Sequence, residues 1–149
     1  MKIKSLLISF VLICVSYIGV SNAQEFSNEL NQILGTWQTE KEIEGNKAHY
    51  VMEIKKDSTF KFWLKGAEDK VTYMYAEGKI KISKSGPFKM LKLYDLMAGQ
   101  KEDKDTLEKT NFERNYVFQT GYKKMFLAAN FDADRENEAP EVMLYKKIK

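Results

Sequence analysis

The stretch Ile33-Leu34-Gly35-Thr36-Trp37-Gln38-Thr39 is where the pattern of the chain changes. Before it, Phe26, Leu30, Ile33 and Leu34 recur at i, i+4, i+7 and i+8. That is the spacing of one helical face, and Ser27 is placed to cap the helix. After it, apolar and polar residues alternate with a period of two, as in strands that bury one face. Gly35 stands at the junction, where a residue without Cβ permits a sharp change of direction. Trp37 is the first large side chain of the strand that follows.

From Trp37 to the end the chain reads as short strands separated by turns. The predicted strands are Thr36–Ile43, Ala48–Ile54, Thr59–Leu64, Val71–Ala76, Lys79–Ser83, Phe88–Met97, Leu107–Gln119, Met125–Phe131 and Glu141–Ile148. Glu44-Gly45-Asn46, Lys56-Asp57-Ser58, Glu77-Gly78, Ser85-Gly86-Pro87 and Thr120-Gly121 are the expected turns between them. Tyr50, Met52 and Ile54 share one face, as do Phe60, Phe62 and Leu64, and Val71, Tyr73 and Tyr75. Nine period-2 segments without βαβ alternation predict an all-β antiparallel meander, a sandwich or a barrel, after a short N-terminal helix.

The first residues, MKIKSLLISFVLICVSYIGVSNAQ, have Lys2 and Lys4 ahead of an uncharged apolar run from Leu6 to Val20, then Ser21-Asn22-Ala23. This is the pattern of a cleaved secretory signal peptide, residues 1–23, with an exported chain beginning at Gln24. The run is short for a membrane span, so no stable membrane anchor is expected after cleavage, and the periplasm or the extracellular space is the expected location. Cys14 is the only cysteine and falls within the leader, so the single domain at 24–149 has no disulfide and depends on its core. Without the two leader lysines the chain carries 22 basic and 21 acidic residues. Along the sequence the two signs are interspersed, and no nucleic-acid stripe or polybasic membrane patch is legible.

A short helical turn followed by Leu34-Gly35-Thr36-Trp37 at the head of an antiparallel meander resembles the lipocalins and other calycins. The closest likeness is to the short bacterial lipocalin-like domain proteins. The resemblance implies an all-β, antiparallel up-and-down barrel of eight to ten strands with a short N-terminal helix, in which Gly35 turns the chain into the first strand and Trp37 plugs the barrel base. It also implies a basic side chain from the last strand packed over the indole, for which Lys146 or Lys147 is placed, with Lys146 the residue chosen. Lysine stands where larger lipocalins have arginine.

Candidate chemistry is sparse. The one histidine, His49, lies on the face opposite Tyr50, Met52 and Ile54, so no nucleophile–base pair or histidine-rich metal site is built around it. Glu53 and Asp57 read as surface charge. Asp132-Ala133-Asp134-Arg135-Glu136-Asn137-Glu138 has the alternate acids of a calcium loop but lacks its glycine and its final glutamate. Trp63 falls among Thr59, Lys61 and Lys65 on a polar face. No cofactor and no metal are expected.

Arg114 is the most informative polar residue. Only Arg114 and Arg135 are arginines, and Phe112, Arg114, Tyr116 and Phe118 alternate onto one face. A guanidinium on an aromatic, inward face requires an anionic or strongly accepting partner, either a ligand carboxylate or an acid on a neighbouring strand. The expected function is non-enzymatic binding of a small, partly apolar ligand, with an anionic head at Arg114 and Tyr116. Its tail would lie against Phe60, Phe62, Tyr73 and Tyr75, and Phe112 and Phe118 would line the site beside Arg114 and Tyr116. The alternatives are a filled barrel acting as a protein or cell-envelope interaction module, and an enzyme on a calycin barrel, which lacks paired catalytic residues.

Overall fold

The computed structural model describes residues 26–66, 71–130 and 139–149. The leader and the acidic segment 132–138 read above as a candidate calcium loop lie outside them. A helix, α1 (residues 26–33), precedes β1 (Gly35–Ile43), β2 (Asn46–Ile54), β3 (Thr59–Gly66), β4 (Thr72–Ser85) and β5 (Phe88–Gly99). After a 3₁₀ turn at Lys104–Thr106 come β6 (Glu108–Lys109), β7 (Arg114–Gly121), β8 (Lys124–Ala129) and β9 (Glu141–Lys147). All pairings are antiparallel. Strands β1 to β5 pair in order, β5 passes to β7, β8 and β9 follow, and β9 returns to β1. Eight strands thus close an up-and-down barrel, one of the two arrangements the alternating pattern allows, and the two-residue β6 lies against β5 outside that circuit. Closure removes the free sheet edges that an open meander would expose.

Gly35 has φ 113°, a left-handed conformation. A Cβ there would stand 2.4 Å from the Lys149 carbonyl oxygen. The glycine therefore serves two needs at once: the turn from α1 into β1, and the close approach of the C-terminal strand, whose Ile148 amide donates to the Thr36 carbonyl at 2.8 Å. Helix α1 lies across this end. Leu30 and Ile33 are buried with Ile54, Ile82, Leu91, Phe118 and Met125 in one continuous core. Glu29, largely buried, is bound by Lys89 at 2.7 Å. Ser27, expected as a cap, lies inside the helix.

Two expectations fail at β4 and β5, for one reason. Glu77-Gly78 is not a turn: β4 runs unbroken from Thr72 to Ser85. Side-chain parity therefore carries through the whole strand. Buried Ile80 and Ile82 point inward, so Ala76 and Met74 do as well, opposite Phe62 and Leu64. Tyr73 and Tyr75 face outward. Tyr73 is 60% exposed, and Tyr75 is covered on the outer wall by Trp63, ring to ring at 5.6 Å. Gly78 is needed instead because β5 bulges opposite it. Asp95 has φ 55°, and the inward parity passes from Leu91 and Leu93 to Leu96. A Cβ at Gly78 would lie 2.9 Å from the Tyr94 carbonyl oxygen. The predicted strand Leu107–Gln119 is likewise two pieces, β6 and β7.

Candidate functional site in the barrel interior

The barrel is filled at one end and hollow at the other. At the end covered by α1, Trp37 is 1% exposed, and its indole N–H donates to the Ile33 carbonyl at 2.7 Å. The Lys147 Nζ lies 5.4 Å from the ring centroid. The basic residue over the plug is thus Lys147, and the choice of Lys146 is corrected. Met143, Tyr145 and Lys147 share the inward parity of β9, whereas Lys146 projects outward and is exposed. Phe118 also belongs to this packed end, buried beneath α1, rather than to the wall of the hollow.

Above the plug is a cavity of about 470 Å³. That volume falls in the range of small-molecule sites, roughly 300–1,000 Å³. Five of the residues expected around a ligand line it: Phe60, Phe62, Phe112, Arg114 and Tyr116. Tyr73, Tyr75 and Phe118 do not. Met52, Met74, Leu96 and Ala98 extend the apolar wall, and Tyr50, Met143 and Tyr145 complete it. Tyr50 and Met52 had been legible as one alternating face, and Glu141, Met143 and Tyr145 are a second such series. Neither pointed to a site without knowledge of which strands meet. Tyr50 and Phe62 pack edge to face at 5.8 Å. Burial drives the Tyr145 hydroxyl pKa upward, with Tyr116, Tyr50 and Glu141 adding to the shift. Its phenol stays protonated, so Tyr145 is a neutral hydroxyl on the wall.

Arg114 occupies the mouth of this cavity. Its guanidinium donates to the Asn130 side-chain oxygen at 3.2 Å and lies 4.7 Å from the Phe112 ring centroid. The Asn130 amide donates in turn to the Ala139 carbonyl at 3.0 Å. Asn130 thus ties the arginine to both ends of the β8–β9 connection. Stacking on Phe112 restricts the guanidinium further and keeps its planar donors oriented.

The wall is not zipped uniformly. β1 pairs with β9 only at Trp37↔Lys147 and Gln38↔Lys146. Beyond Gln38 the strands part, although each stays paired to its other neighbour, β1 to β2 and β9 to β8. A groove of about 640 Å³ follows the split, and it shares Lys41, Tyr50, Glu141 and Met143 with the interior cavity. Lys41 bridges the gap to Glu141 at 2.6 Å, and that hydrogen bond raises the lysine pKa.

The remaining candidates lie on the outer wall. His49 pairs across the ladder with Glu40, its Nε2 3.5 Å from the carboxylate. Asp57 accepts from the Thr59 amide and hydroxyl, which shapes the β2–β3 turn and lowers its pKa. Trp63 donates to Glu102 at 3.3 Å, and Lys61 bonds the same carboxylate, so the segment after β5 is tied down over Trp63 and Tyr75. Among the described residues no three His, Cys, Asp or Glu side chains converge as metal ligands. Comparison with protein families, with curated proteins and with solved structures finds no match to this chain.

Proposed function

We propose that the chain is an exported, lipocalin-like carrier that binds a small amphipathic anion in the open half of its barrel, without catalysis. The observation that carries this reading is the half-filled interior: an apolar cavity of about 470 Å³ with Arg114 and Tyr116 on its wall. A carboxylate or sulfonate at the mouth would take charge-assisted hydrogen bonds from Arg114, with the Tyr116 hydroxyl nearby. Phe60, Phe62 and Met74 would cover the tail. The alternative, a filled barrel acting as an interaction module, is supported by a packed interior, and a cavity of this volume favours the carrier over it. Export rests on the leader sequence.

The test is titration of fatty acids and the matching alcohols by intrinsic tryptophan fluorescence, in the wild type and in Arg114→Leu. The expected result is a loss of affinity for the acids of about tenfold or more, the size of one charged hydrogen bond, with the alcohols little affected. Equal losses for both classes refute the assignment of the head group. Absence of binding by either class refutes the carrier reading.

A further inference from the structure

Charges interspersed along the chain are sorted by folding onto opposite ends of the barrel. In an up-and-down barrel alternate turns lie at one end. The β2–β3, β4–β5 and β7–β8 turns therefore join the C-terminus and α1 at the plugged end. Six exposed lysines stand there: Lys56, Lys84, Lys123, Lys124, Lys146 and Lys149. Asp57 is the one exposed acidic side chain on those turns and the chain end among the described residues. The exposed residues of α1, Ser27, Asn28, Asn31 and Gln32, are uncharged. At the open end the balance reverses, with eight exposed carboxylates against five exposed lysines over residues 40–47 and 101–113.

The basic end also projects apolar groups. Tyr122, at the tip of the β7–β8 turn, is 87% exposed, and Phe88, beside the β4–β5 turn, is 58% exposed. Ile148 is half exposed between Lys147 and Lys149. The Lys123 Nζ lies 5.5 Å from the Tyr122 ring centroid. Turn tips have no backbone geometry that demands a large aromatic, and their exposure costs solvation. Aromatic side chains set among lysines match the headgroup layer of a bilayer, where amphipathic rings settle and ammonium groups meet phosphates. A nucleic-acid duplex is matched less well, because this end has no arginine among its described residues.

We propose that the plugged end is a docking surface for an anionic phospholipid membrane. The lysines supply the attraction and Phe88 and Tyr122 enter the headgroup layer, while the acidic open end is held away from the lipid. The surface is peripheral and reversible. It does not depend on what the cavity holds.

The test is partition of the chain beginning at Gln24, which contains every described element, onto two kinds of vesicle. One is phosphatidylcholine alone, and the other an equal mixture of phosphatidylcholine and phosphatidylglycerol. Binding to the mixed vesicles only is expected, and it should weaken as salt shortens the electrostatic range. Lys123→Gln/Lys124→Gln should lower the partition coefficient roughly 25-fold, at about fivefold per lysine near such a surface. Lys101→Gln/Lys104→Gln makes the same change of charge at the opposite end and should leave partition unchanged. Phe88→Ser/Tyr122→Ser should lower it severalfold while preserving the salt dependence. Equal losses from the two lysine pairs would show attraction by overall charge and overturn an oriented face. Equal binding to both vesicle types, or to neither, overturns the proposal. Retention on duplex DNA without partition onto the mixed vesicles would assign the face to nucleic acid and overturn the lipid reading.

Discussion

Replacing Trp37 with alanine removes the largest side chain at the plugged end, and the structure sets the size of the loss. The indole is 1% exposed, so its removal empties a volume that the surrounding core cannot readily refill. Truncations of buried aromatics cost about 3–5 kcal/mol. The Ile33 carbonyl also loses the donor that reaches it at 2.7 Å, which adds about 1–3 kcal/mol where no water replaces it. The contact with Lys147 contributes about 0.5–1 kcal/mol more. A total of about 4.5–9 kcal/mol is a large share of the roughly 5–15 kcal/mol available to a domain of this size. Trp37→Ala should therefore be unfolded or nearly so at room temperature. Trp37→Phe keeps most of the packing and loses the hydrogen bond and part of the ring, so it should cost about 1–3 kcal/mol. Urea unfolding followed by far-UV circular dichroism measures both, and Trp63, on the outer wall, remains as a second optical probe in each variant. A loss below about 1 kcal/mol for Trp37→Ala would refute the plug, and a Trp37→Phe variant as stable as the wild type would refute the contribution of the hydrogen bond.

Gly78→Ala should destabilise by more than 1 kcal/mol, because its Cβ meets the backbone of the β5 bulge at 2.9 Å; thermal unfolding unchanged from wild type would show that the bulge can yield. The Glu102 carboxyl is held below its ordinary range, chiefly by its hydrogen bond with Lys61 and further by the bond from Trp63. The contribution of that tether is complete above the unfolded pKa of about 4.3 and is lost as pH falls through the lowered folded value. Trp63 emission should therefore shift red only under acid conditions, and Glu102→Gln should abolish the shift. Where β1 and β9 part, amides facing the split in Thr39–Ile43 and Glu141–Tyr145 should exchange with deuterium faster than those at the paired seam between Thr36 and Gln38; uniform protection along β1 would mean that the seam is closed in solution.

The class of fold was legible because it depends on a local quantity. A period of two, repeated between turn residues, specifies half-buried antiparallel strands wherever they end up, and the break at Gly35 separates helix from strand. The plug was legible for a similar reason, since Gly35 and Trp37 act within a few residues of each other. Parity within a single strand placed Arg114 beside Tyr116 on the inner wall. Parity across a glycine was misread, because Gly78 looks like a turn until a bulge on another strand explains it, and Tyr73 and Tyr75 changed faces as a result. Which of two lysines meets Trp37 depended on the phase of β9, fixed by Tyr145 and Met143 packing against β8. The hollow and the parted seam could not be read at all, because they are differences between the space the strands enclose and the side chains available to fill it. The basic end is the clearest case. Lysines separated by tens of residues show no patch in one dimension, and only the alternation of turns between two ends of a closed barrel brings them to one surface.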